Sequence, residues 1–148
     1  TNRVVYGGGG IMPDIFVPVD TTHYSEYYDH LIRQGIINTF ILEYIDNNRE
    51  LLKNAYPDFE TFEAEFSVGE ELMDKLIQYA DKEGLEPAQE DIETSEKDIK
   101  LLVKALIARD LWDMNEYFQI VNRQDVEFTK AVKVLNNWEQ YSNEYLKK

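Results

Sequence analysis

The spacing of apolar residues beyond Thr21 leaves this chain little freedom in what it can fold into. From Ile99 onward they recur every three or four positions: Ile99, Leu102, Val103, Leu106, Ile107, Leu111, Met114, Phe118 and Val121. A phase held for about six turns is the pattern of a helix with one buried face. Ser95 and Asp98 supply the residue types that open such a helix. The same period runs upstream. Tyr24, Tyr27, Tyr28, Leu31 and Ile32 form one stripe, with Gly35 suited to a C-terminal cap. Ile37, Phe40, Ile41, Tyr44, Ile45, Leu51, Leu52 and Ala55 form a second, stopped by Pro57. Phe59, Phe62 and Phe66 predict a short helix. Ser67 and Glu70 have capping-box spacing ahead of Leu72, Met73, Leu76, Ile77 and Ala80, a run closed by Gly84. Residues 84–93, with Pro87, read as an acidic linker. Asp125 is the predicted cap of the last helix, with Phe128, Ala131, Val132, Leu135, Trp138, Tyr141 and Tyr145 turned inward.

Residues 1–20 do not share this period. Arg3–Tyr6 and about Ile11–Val17 read as two extended segments around Gly7-Gly8-Gly9-Gly10, and Pro13 and Pro18 exclude a helix interior. Two short strands are not stable alone and need further strands to pair with. The start at Thr1, directly ahead of the first strand, reads as a cut within a longer chain. The expected fold is therefore mainly α, a multi-helix bundle-like domain over 21–148 preceded by a short two-stranded β segment over 1–20.

At 148 residues with 43% hydrophobic and 13% aromatic content, the chain can bury a sizeable core. No apolar run approaches the roughly 20 residues that span a bilayer. There is no cysteine, so disulfides and thiolate chemistry are excluded. The net charge of -14 is unevenly spread. Residues 58–74 carry seven acids and no base, and residues 81–98 carry eight acids and two bases. Residues 99–148 carry seven acids and eight bases, so the acidity belongs to the middle of the chain. A phosphate backbone would be repelled there, which disfavours nucleic acid as a partner. The acidic stretches read as solvated surface, with a basic docking partner as the alternative.

No residue set carries a complete chemistry. Of Ser25, Ser67, Ser95 and Ser142, none lies in a G-x-S-x-G elbow and none is followed by Lys at the third position. Ser67 and Ser95 are accounted for as helix caps. His23 and His30 stand seven apart, whereas metal ligands on a helix favour three or four. The four glycines are followed by Ile11-Met12-Pro13 and not by a G-K and a helix, so they read as a permissive turn and not as a phosphate cradle. Paired acids such as Glu70-Glu71 read as a solvated face, and Tyr24, Tyr27 and Tyr28 as core or interface. No catalytic residue, cofactor ligand or metal ligand is assigned.

One segment carries more. Asn2-Arg3-Val4-Val5-Tyr6-Gly7-Gly8-Gly9-Gly10-Ile11-Met12-Pro13-Asp14-Ile15-Phe16-Val17-Pro18 resembles the G-R-x-V-Y-G-G-G-G-I-x-P-D-I-x-V segment of the carboxyl-terminal processing (tail-specific) proteases. Asn2 stands where that family usually has Gly. The helical remainder, including Lys104-Ala105-Leu106-Ile107-Ala108-Arg109-Asp110-Leu111-Trp112, is similar to the extended C-terminal region of one branch of the family.

The resemblance implies a parent serine endopeptidase, a hydrolase of protein substrates with a Ser-Lys dyad, a PDZ-like domain and an α/β catalytic core. It also implies a periplasmic or cell-envelope location. The family's nucleophilic Ser and general-base Lys lie upstream of the P-D-I segment and have no counterpart here, so this chain alone should be inactive. Residues 1–20 would be the last strands of the core, and its upstream part would be the partner of the helical domain. That domain would act as a scaffold or in assembly, including a homodimer, or would gate the cleft. The alternative is a free-standing helical protein–protein interaction module with no link to proteolysis.

Overall fold

In a computed structural model the described residues are Gly8, 13–18 and 24–146. They are mainly helical, as the periodicity predicts. Arg3–Tyr6 lies outside the described residues. Of the second expected strand, residues 13–17 are described. They bend at Asp14 and Ile15 and form no strand, in keeping with the need of short strands for a sheet to pair with. The chain divides into two compact units, Asp20–Val121 and Thr1–Val19 with Asn122–Lys148. The division at 121/122 falls inside the stretch that the sequence reading assigns to a single helical domain.

The larger unit opens with α1, Glu26–Arg33. Ser25 caps it by accepting a hydrogen bond from the Tyr28 backbone N–H. Gly35, at a φ of 73°, ends α1 in the left-handed conformation that only glycine adopts without strain. Its N–H donates to the Ile32 carbonyl, and its own carbonyl accepts from Thr39 N–H. α2, Ile36–Ala55, therefore starts with no spacer. It buries Ile36, Ile37, Phe40, Ile41, Ile45 and Leu52 and ends at Tyr56, before Pro57. Leu51, placed in the stripe by its spacing, is exposed.

α3, Phe59–Glu65, is capped by Asp58, whose carboxylate accepts from Thr61 N–H at 2.8 Å. That backbone hydrogen bond holds the Asp58 carboxyl below its ordinary range. α4, Glu70–Lys82, has Gly69 at its N-cap, so the predicted capping box at Ser67 does not form. Val68, two residues before the helix, is buried. Its burial accounts for the extended lead-in, which carries Ser67 out of reach of the helix start. At the far end Leu85 N–H donates to Ala80 O and Gly84 N–H to Asp81 O, a Schellman closure with Gly84 at φ 90°.

α5, Gln89–Leu111, is the long central helix, about 34 Å at 1.5 Å per residue. It starts six residues before Ser95, so much of the expected linker is helical and Ser95 is not a cap. α5 packs on α1 and α2, and α4 packs on α2. From Ala105 to Ala108 every residue of α5 is buried. The long stripe beyond Leu111 is interrupted: Trp112 leaves helical geometry and α6 restarts as Met114–Asn122. Aromatic packing coincides with the break. The Trp112 ring meets Phe59 at 6.0 Å and Phe62 at 5.2 Å, where α3 closes over the end of α5. Tyr56 and Phe66 complete this aromatic cluster around Phe62.

In the smaller unit α7 spans Val126–Asn136 and α8 spans Trp138–Tyr141, which continues as a π-helical turn over Ser142–Leu146. Asp125 caps α7 as predicted, accepting from Phe128 N–H at 2.6 Å. The predicted inward face is a correction. No residue of α7 or α8 is buried, and Phe128, Val132, Leu135 and Trp138 are exposed. A periodic stripe marks an amphipathic face but not what covers it.

Candidate interaction face

The candidate site of the smaller unit is a groove between a short extended segment and a helix. Pro13, Ile15, Phe16 and Val17 form one wall. Glu127, Lys130, Ala131, Val134 and Leu135 of α7 form the other. Their spacing of three and four brings them onto one side of the helix. Tyr141 closes the groove, and its hydroxyl donates to Asp14 Oδ2 at 3.3 Å. The groove is open to solvent along one side, and its volume is about 640 Å³. The lining is mostly apolar, with Glu127 and Lys130 its charged members.

From the groove rim at Phe16 and Leu135 the apolar surface continues to Phe128 and Trp138. Leu135 is 68% exposed, Trp138 50%, Phe128 47% and Phe16 77%. Phe128, Val132 and Leu135 stand at the four- and three-residue steps of one helix face. Trp138 and Tyr141 lie 5.4 Å apart with tilted rings. Burying a face of this kind is what favours association, and aromatic residues on it are the common anchors.

The residues considered for chemistry are scattered. Ser95 is fully buried and Ser25 meets it across α1 and α5. Ser142 lies in the π-helical turn, and Ser67 in the loop before α4. His23 lies outside the described residues. His30 is exposed on α1, its Nδ1 3.1 Å from Gln34 Nε2. Of the four glycines Gly8 is described, with a φ of 82° that suits a turn. Glu70 and Glu71 are exposed, and Glu71 pairs with Lys75 at 2.6 Å. Among the described residues no group of three His, Asp or Glu side chains is placed to hold a metal ion.

The tyrosine stripe divides. Tyr27 is core, Tyr28 is half-buried, and Tyr24 stacks on Tyr28 at 5.3 Å from the exposed side. Burial, with a smaller contribution from the Asp81 charge, pushes the Tyr27 phenol up to about 12. Burial also raises Tyr28 to about 12, helped by Tyr24 and then Asp98. Both stay neutral at ordinary pH and supply no base. Spacing did not reveal two further features. The buried Tyr27 hydroxyl and Glu116 Oε2 have no hydrogen-bond partner among the described residues. Lys104 donates to the Glu63 and Phe66 carbonyls, both at 2.7 Å, with its ammonium 5.7 Å from the Phe62 ring centroid.

A family model matches residues 27–113, from α1 to the end of α5, which is more than half of the chain. Its description is a family of unknown function, DUF8443. The chain belongs to this family. The DUF8443 segment lies wholly within the unit Asp20–Val121 and leaves out the groove, α7 and α8. No curated protein and no solved structure matches the chain. Among the described residues no helix is long and apolar enough to cross a membrane.

Proposed function

We propose that this chain is the non-catalytic C-terminal part of a carboxyl-terminal processing serine endopeptidase of the Ser-Lys type, acting on protein substrates in the periplasm or cell envelope. The observation that carries the reading is the ordered resemblance of Asn2–Pro18 to the family's segment around Pro13-Asp14-Ile15. The DUF8443 helices then serve as a scaffold or assembly element beside the catalytic core, with gating of the cleft as the second role. The open apolar face of α7 and α8, next to Phe16, is the surface that the upstream core would cover. Its exposed Phe128, Leu135 and Trp138 support that reading.

The test has two parts. Residues 1–148 alone should show no peptidase activity against an unfolded protein, and activity there would overturn the proposal. The coding sequence upstream of Thr1 should encode a core with the Ser and Lys of the dyad. A gene that starts close to Thr1 would leave a free-standing helical interaction module instead.

A further inference from the structure

We draw no further inference here: the strongest candidate, the groove between Pro13–Val17 and α7 with the exposed apolar face beside it, carries nothing beyond the proposed reading because nothing in the structure shows what covers it.

Discussion

Ser25 and Ser95, seventy residues apart, complete each other's hydrogen bonding: Ser25 N–H donates to Ser95 Oγ at 2.8 Å, and the Ser95 hydroxyl donates to Ser25 Oγ at 2.9 Å. Ser25 Oγ in turn accepts from Tyr28 N–H, so the cap of α1 is held from the middle of α5. Asp91, one turn earlier on α5, accepts from Tyr27 N–H at 3.2 Å. Ser95→Ala removes, from a fully buried position, the acceptor of the Ser25 backbone donor. A loss of about 1–3 kcal/mol is expected, read as a lower urea midpoint at unchanged slope. An unchanged midpoint would show that the pair does not hold α1.

The Tyr27 ring is core, but its hydroxyl has no hydrogen-bond partner among the described residues. Tyr27→Phe removes a buried polar group with no partner among the described residues. It should leave stability unchanged or raise it by up to about 1 kcal/mol. Thermal unfolding of the two proteins checks this, and a clear loss would reveal a partner for the hydroxyl.

Alkaline pH tests the same tyrosines. The folded phenols of Tyr27 and Tyr28 titrate near 12, against 10 for an ordinary tyrosine. The unfolded chain therefore releases these protons first. Their contribution is complete below pH 10 and falls away as pH rises towards 12. Stability measured at pH 9, 10 and 11 should decline across the upper part of that range. Tyr27→Phe should decline less steeply.

Lys104 supplies two hydrogen bonds to carbonyls at the end of α3, and its charge faces the carbonyl end of that helix. Lys104→Met keeps the stem and removes the donors. A cost of about 2 kcal/mol is expected, with a change in Trp112 fluorescence because α3 carries the rings that meet Trp112. Unaltered fluorescence and stability would rule out this anchoring role.

The two units should respond differently to substitution. Phe62 is fully buried, and Phe62→Ala should cost about 3–5 kcal/mol. Leu135→Asp, on the exposed face of α7, should move the melting of residues 20–121 by no more than about 0.5 kcal/mol. Within the proposed function it should weaken association with the catalytic core. Residues 20–121 expressed alone should melt cooperatively, and gradual melting would show that the outer segments are integral to the fold.

The elements that were legible in the sequence are those set by local chemistry. Gly35, Pro57, Gly84 and Asp125 mark helix ends because each acts within a turn of its own position. Ser95 misleads because a serine before an apolar run resembles a cap, while its partner comes from α1. The break at Trp112 is invisible to periodicity. The apolar phase carries on, while the Trp112 backbone leaves the helix where its ring packs on Phe59 and Phe62 of α3. The groove is equally hidden, since it needs Pro13–Val17 brought beside α7 across more than a hundred residues. The helical class was therefore readable, whereas the face that remains open was not.

The enclosure of α5 bears on which substitutions this chain can absorb. Ala105, Leu106, Ile107 and Ala108 occupy all sides of one turn, and all four are buried. A larger side chain at either alanine has no solvent side to turn to, and close-packed interiors resist added volume. That turn is a fixed axle of this chain: substitutions that leave the packing untouched belong on the outward sides of the surrounding helices. New binding properties can then arise there without the fold being redrawn.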